Sequence, residues 1–254
     1  MRPSLVDLDI IIPVYNEGAN IISVLDALQR DVNCTHRILI CYDFDEDNTL
    51  DAIAGYSPNQ GNIILVKNPS SGPHSAIMAG INSSTAPFVL THMADDDYTT
   101  PVIDGMVAKG KEGYEVVTGS RFMKGGEFVG GSWLKRLLTW GASFSLYHFA
   151  RFPVHDATHG VRIFSRRILE NFEVESSLGF TYSFEMMVKV VRFGWPVHEV
   201  PVSWYERTIG ASRFRVWRWL WSYLRWYFFA FATTWLRKGP KSVPLKPDSK
   251  LLDS

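Results

Sequence analysis

Over its first hundred residues the chain alternates four times between a short apolar, β-rich run and a stretch with apolar residues at helical spacing. Residues 8–14 (Leu-Asp-Ile-Ile-Ile-Pro-Val) have the composition of a buried parallel strand. Asn16 is a candidate cap for the helix that follows, Glu17 suits its positive end, and Ile21, Val24, Leu25 and Leu28 give that helix one apolar face. Residues 37–41, 62–66 and 88–91 read as three further strands. Helices are predicted over 49–54 and from Gly72-Pro73 through Ile77 and Ile81. Such alternation demands a doubly wound α/β sheet, mostly parallel and flanked by helices.

In sheets of this kind ligands gather beyond the C-terminal ends of the strands. Conspicuous polar residues fall there after each strand: Tyr15 to Glu17, Asp43 to Asp47, Asn68, and Asp95-Asp96-Asp97. Three consecutive carboxylates repel one another unless a cation sits among them. Hard oxygen ligands suit a divalent metal shared with a substrate pyrophosphate. Thr100-Pro101 then reads as a cap and first residue of a helix. Asp45, Glu46 and Asp47 read instead as a turn and a helix start.

Composition removes several classes of function. Formal net charge is zero over 254 residues, which disfavours a nucleic-acid binder. Two cysteines give no disulfide framework or Cys-based zinc site and suit a reducing compartment. The first eight residues lack the apolar core of a secretory signal, and no clean run of about 20 apolar residues exists.

The second half opens with a fifth strand over 115–119, leading to Ser120-Arg121, and a Gly-rich loop over 124–131 that reads as mobile. Ser132 is a candidate cap for a long helix over 133–150. Residues 154–162 are polar and compact, with His155, Asp156, Thr158, His159 and Arg162. Short helices over 165–171 and 183–193 and a strand over 197–205 complete the domain. In residues 216–237, Arg218, Ser222 and Arg225 lie with Arg215 within about 80° on a helical wheel, and aromatic residues cover the other side. Burying those arginines at mid-membrane would cost roughly 2.5–3.5 kcal/mol each. The expectation is therefore a helix lying in the headgroup boundary or a helical hairpin dipping into it, with an ordinary packed helix or a homo-oligomer contact as alternatives. Residues 238–254 hold three prolines and are expected to be disordered.

These residues together resemble the family 2 glycosyltransferases of GT-A fold. The likeness is greatest to the dolichol-phosphate mannosyltransferase branch and its bacterial polyprenyl-phosphate relatives. It spans about residues 8–215, with a nucleotide-sugar half to about 120 and an acceptor half from 121. Pro13-Val14-Tyr15-Asn16-Glu17 matches P-x-Y-N-E, and residues 43–49 match the end of D-D-x-S-x-D-G-T. Asp95 to Asp97 match D-A-D, and Gly119-Ser120-Arg121 match G-S-R. Residues 156–162 match D-x-T-S-G-F-R, and Arg207, Gly210, Ser212 and Arg213 match R-x-x-G-x-S-K. Tyr42, Asn48, Thr99, His159 and Arg213 depart from the motifs, standing for Asp, Gly, Gln, Ser and Lys.

The resemblance implies that Pro13, Tyr15, Glu17, Cys41 and Asp43 line the nucleotide pocket of a GDP- or UDP-linked sugar. It implies that Asp95 and Asp97 hold Mg2+ or Mn2+, with Thr99 as a third candidate ligand and Asp96 facing the donor. Arg121, Arg207 and Arg213 would meet the phosphates of donor and lipid acceptor. The implied reaction inverts the anomeric centre and moves a hexose, mannose-like by the family, to a polyprenyl phosphate at the cytoplasmic face of a membrane. A phosphate acceptor is already ionised and needs no base, whereas a saccharide hydroxyl would need one. Asp156 is the candidate base for that rival reaction, and a buried ion pair with Arg162 is its structural alternative. His155 and His159 read as solvated or packed histidines, and Glu185 as a structural partner of the acceptor loop. A nucleotide-sugar-binding subunit without turnover is the reading from another class.

Overall fold

The computed structural model describes residues 6–56, 60–130, 133–205 and 216–252. The predicted strands form in order: β1 (Leu8–Pro13), β2 (His36–Tyr42), β3 (Ile63–Lys67), β4 (Phe88–Thr91) and β5 (Val116–Ser120). Between them run α1 (Asn20–Asp31), α2 (Asn48–Ala54), α3 (Pro73–Ser83) and α4 (Ile103–Lys111). The later elements are β6 (Glu127–Val129), α5 (Trp133–His148), β7 (Arg162–Ser165), α6 (Arg166–Asn171), α7 (Thr181–Phe193), β8 (Val197–Pro201), β9 (Ser203–Tyr205) and α8 (Val216–Trp235).

One seven-stranded sheet has the order β3-β2-β1-β4-β7-β5-β8. All its pairings are parallel except those of β7, which runs antiparallel between β4 and β5. The apolar residues of β1 alternate between two cores, Ile11 facing one helix layer and Leu8, Ile10 and Ile12 the other. That two-sided burial is why the strand reads as continuously apolar. In α1 the predicted face is the buried one, Ile21, Val24, Leu25 and Leu28.

Several local expectations change. Asn16 does not cap α1; its backbone is left-handed (φ 52°), its N–H donates to Asp47 (3.0 Å), and α1 begins four residues later. Asp47 caps α2 by accepting from the Thr49 amide. The expected strand over 197–205 divides at buried Val202. Its first part pairs with β5, and its second pairs with β6 in a two-stranded ribbon. Part of the Gly-rich loop is thus a strand, with the Gly126 amide donating to the Met123 carbonyl (3.0 Å). A Cβ on Gly126 would lie 2.3 Å from the Ser120 carbonyl oxygen, so only glycine allows this approach. Strand β7 was not foreseen, because its four residues follow a polar loop without alternation. Ser132 lies outside the described residues.

Helix α8 packs on α7 and α5, with Trp226 and Ala230 fully in the core. The Trp226 indole donates to Ser176 Oγ (2.9 Å), and Arg192 of α7 donates to Thr233 Oγ1 (2.9 Å). The expectation of a disordered tail does not hold for residues 238–252. Val243 is buried, Leu245 bridges to Phe172, and the Lys246 amide donates to the Asn171 carbonyl (2.9 Å). Pro240 opens the short 3-10 turn Pro240–Ser242, where its missing N–H leaves no bond unmade. Among the described residues no helix is long and apolar enough to cross a membrane.

Candidate active site

Four parallel strands and the reversed β7 deliver the candidate residues to one edge of the sheet. Strand β1 ends at Tyr15, which is exposed and meets Phe44 edge-on (centroids 5.5 Å). The Glu17 amide donates to Thr49 Oγ1 (3.0 Å), which ties this loop to α2. After β2, Asp43 accepts from Asn68 Nδ2 (2.7 Å) and from the Gly72 amide (2.8 Å). Asn68 Oδ1 in turn accepts from the Ser70 amide and from Ser75 Oγ (2.7 Å). The N-terminus of α3 is thereby held beside the ends of β2 and β3. Pro13 and Asp43 are partly exposed along this edge. Cys41 is not on it: the thiol is fully buried against Ile11 and Gly80, and burial pushes it up to about 12. The cysteine belongs to the core beneath the pocket, because alternate residues of β2 face opposite sides.

The acid turn divides its three carboxylates. Asp96 is buried, and its oxygens accept from the Thr99 amide (3.0 Å) and from Thr99 Oγ1 (2.6 Å). Thr99 is itself fully buried, and its hydroxyl also lies 3.4 Å from His92 Nε2. Asp96, expected to face the donor, and Thr99, a candidate metal ligand, are thus bonded to each other inside the turn. The pair closes the loop from inside, satisfying the amide that opens the Thr100–Val102 turn before α4. Asp95, half-buried, and Asp97, exposed, flank it toward the solvent. Among the described residues no cluster of three or more His, Cys, Asp or Glu could hold a metal by itself. The carboxylates of Asp95 and Asp97, beside the buried Asp96, fit a hard divalent cation that takes its other oxygens from a bound diphosphate and water.

Arg121 follows β5 and meets Asp156 in a two-pronged pair: Nε to Oδ2 at 2.7 Å and Nη2 to Oδ1 at 3.1 Å. Asp156 is fully buried. It also accepts from the Arg121 and Thr158 amides, from Thr158 Oγ1 (2.8 Å) and from Ser143 Oγ of α5 (3.2 Å). Burial opposes its ionisation, but the Arg121 hydrogen bonds and charge more than offset this and hold the carboxyl down at about 2. The guanidinium lies over the parallel rings of Phe122 and Phe128, 5.3 and 5.1 Å from their centres. Arg162 is not the partner of Asp156. It is buried at the start of β7, where Nη1 donates to the Ser183 carbonyl (2.6 Å) and Nη2 to the carbonyls of Ala157 and His159 (both 3.0 Å). Burial lowers it to about 10.

Residues 9–172 match the family model described as glycosyl transferase family 2, well over half of the chain. The chain belongs to glycosyl transferase family 2. A dolichyl-phosphate hexose transferase of Haloferax volcanii is 28% identical to this transferase over 205 residues, covering 79% of this chain and 84% of the relative. A polyprenol monophosphomannose synthase of Mycolicibacterium smegmatis is 25% identical over 212 residues, covering 80% and 79%. Among solved structures, glucosyl-3-phosphoglycerate synthase from Mycobacterium tuberculosis in complex with UDP superposes with a TM-score of 0.62 at 15% identity, covering 90% of this chain and 81% of its own. The same enzyme with Mn2+, UDP and phosphoglyceric acid gives 0.59 at 17%, covering 91% and 78%. At such identities the likeness is one of fold, and that fold is GT-A.

Within the transferase, the edge brings together Tyr15, Glu17, Asp43, Asp95, Asp97, Arg121 and Asp156. Arg207 and Arg213 lie outside the described residues. Sequence reasoning missed Ser143 and Phe128, which reach the Arg121–Asp156 pair from α5 and β6 across the fold, and no local signal marks them. Glu185, read as structural, is fully buried with Lys189 (2.6 Å) and accepts from the Glu175 and Ser176 amides, anchoring the segment before α7. His155 stacks on Tyr147 (4.1 Å) and pairs with Glu199, which buttresses the acceptor loop from outside.

Proposed function

We propose that this transferase moves a hexose from a GDP- or UDP-linked donor to a polyprenyl phosphate. The observation that carries the reading is the condition of Asp156. A general base needs a free lone pair and an affinity for protons near the working pH. Asp156 has its oxygens engaged by Arg121, Thr158 and Ser143 and is held at about 2. A saccharide hydroxyl would find no base there, whereas a lipid phosphate arrives already ionised. The names of the two curated relatives point the same way.

In this reading Tyr15, Glu17 and Asp43 hold the nucleoside. Asp95 and Asp97 hold Mg2+ or Mn2+, which supplies Lewis-acid stabilisation of charge on the departing diphosphate. Asp156 orients Arg121, and among the described residues Arg121 Nη1 has no hydrogen-bond partner and is the arm left for an acceptor oxygen. Because Asp156 neutralises that guanidinium, further positive charge is needed to bring two anions together. Arg207 and Arg213 are the residues assigned to it, since guanidinium matches phosphate bidentately.

The lipid reading has its own support. Helices α5 and α8 lie side by side, joined by Ser145 to Tyr227 (2.6 Å) and by the Trp235 indole to the Phe149 carbonyl (2.9 Å). Neither contains an acidic residue. Their outer faces expose Trp133 (75%), Leu138, Trp221 (79%) and Phe228. Arg136, Arg151, Arg237 and Lys238 are exposed beside them. Exposed aromatic and cationic side chains in neighbouring helices suit an anionic headgroup boundary. We therefore place the enzyme on a membrane surface, facing the compartment that supplies the nucleotide sugar.

The test is a panel of nucleotide sugars with a short polyprenyl phosphate and Mg2+ or Mn2+, scored for lipid-linked sugar. Turnover onto the lipid phosphate is the expected result. Turnover only onto a saccharide hydroxyl, or nucleotide binding with no turnover on any acceptor, overturns the proposal.

A further inference from the structure

We propose that His159 donates a hydrogen bond from its Nε2–H to a hydroxyl oxygen of the transferred hexose, and so reads the sugar of the donor. The inference rests on the preceding section, which puts the donor diphosphate at the acid turn and the acceptor at Arg121, with the hexose between them.

His159 occupies that interval. Its charged neighbours are Asp156, Arg121 and Arg162 of the acceptor side and Asp96 of the acid turn. The backbone is pinned, because its carbonyl accepts from Arg162 Nη2 (3.0 Å). The ring is oriented as well. Nδ1 accepts from the Val161 amide at 3.2 Å, so the proton of the neutral imidazole is on Nε2. The ring lies over Gly119, where a Cβ would approach Nδ1 to 2.9 Å and Cε1 to 3.2 Å. Glycine near the end of β5 is what lets the imidazole come this close.

These contacts leave Nε2–H without an acceptor among the described residues. The fully buried side-chain nitrogens and oxygens that lack a partner are His74 Nδ1 and Thr181 Oγ1, so Nε2 of His159 is not sealed in the core. Burial keeps the ring neutral, holding it down at about 4. A neutral N–H beside Asp156 and Asp96 offers no charge to a phosphate but matches a hydroxyl oxygen. The ring cannot serve as a base in this position, because its free lone pair is spent on Val161.

The test uses the full chain with Mn2+ and calorimetry, without acceptor: UDP-glucose against UDP, and GDP-mannose against GDP. The quantity read is the ratio of nucleotide to nucleotide-sugar dissociation constants, which isolates the sugar's contribution. His159→Ala and His159→Phe, the latter keeping ring volume without an N–H, are expected to lower that ratio about tenfold for the preferred donor, the worth of one buried hydrogen bond. His159→Gln, which restores a donor, should recover it to within about threefold. Free nucleotide should bind all variants alike, an outcome that a general loosening of the loop would not give. An unchanged ratio in the Phe variant overturns the assignment of His159 alone. Failure of the wild-type chain to bind either nucleotide overturns the donor reading and this inference with it.

Discussion

Arg121 and Asp156 meet through two parallel contacts of 2.7 and 3.1 Å, with the carboxylate fully buried and the guanidinium nearly so. The pair joins the end of β5 to the loop before β7, so this side of the groove is built around it. Removing one partner of a buried pair strands the other charge, at a cost of about 3–5 kcal/mol. Asp156→Asn is therefore expected to lower stability in urea unfolding together with activity. A catalytic base would lose turnover at unchanged stability. In a double-mutant cycle, Arg121→Met with Asp156→Asn should cost much less than the sum of the single changes.

The acid turn sets exposed Asp97 apart from the buried Asp96–Thr99 pair. Asp97→Asn should weaken metal-dependent nucleotide binding at least tenfold while the thermal midpoint stays within a few degrees. Thr99→Val should do the reverse. It leaves the buried Asp96 carboxylate without its 2.6 Å donor, at a cost of about 1–3 kcal/mol, with the Mn2+ dependence of nucleotide binding unchanged. Paired calorimetry and melting curves on the two variants check both.

His159 makes stability depend on mild acid. Its folded-state affinity for protons is depressed to about 4 by burial, while the unfolded chain takes up the proton near 6.5. The unfolded state thus binds more protons between those values. Stability is fully present above about pH 6.5 and declines as pH falls toward 4. Asp156 acts lower: its contribution is present above about pH 4 and is lost as pH falls toward 2. Urea midpoints measured from pH 7.5 to 4.5 should fall steeply for the wild type and less steeply for His159→Gln.

The membrane face can be tested without opening the core. Deleting residues from 216 onward would remove Trp226 and Ala230, which are fully buried, and so confound binding with unfolding. Leu138→Lys and Trp221→Lys change exposed positions only. Together they should reduce association with phosphatidylserine-containing vesicles about tenfold or more, with nucleotide affinity and melting temperature preserved. Unchanged vesicle binding would remove the membrane reading. Concentration-dependent size in wild type that the two changes abolish would assign the face to a second copy.

The sequence by itself determined the strand–helix alternation, the edge at which ligands gather, and the family, because each rests on local periodicity or on short motifs in order. Ile21, Val24, Leu25 and Leu28 state their buried face whatever surrounds them. It could not determine which acid of a turn points outward, since Asp95, Asp96 and Asp97 are chemically alike. Only Thr99, buried three residues on, selects Asp96 as the one turned in. Nor could it reveal that Asp156 is spent on Arg121, 35 residues away, or that Ser143 and Phe128 complete that cluster. Those partners are neighbours only because β7 enters the sheet antiparallel between β4 and β5, a pairing that depends on long-range hydrogen bonds. The tail shows the same division: its proline content suggested disorder, and only the surfaces of α6 and α7 decided that residues 238–252 would be bound.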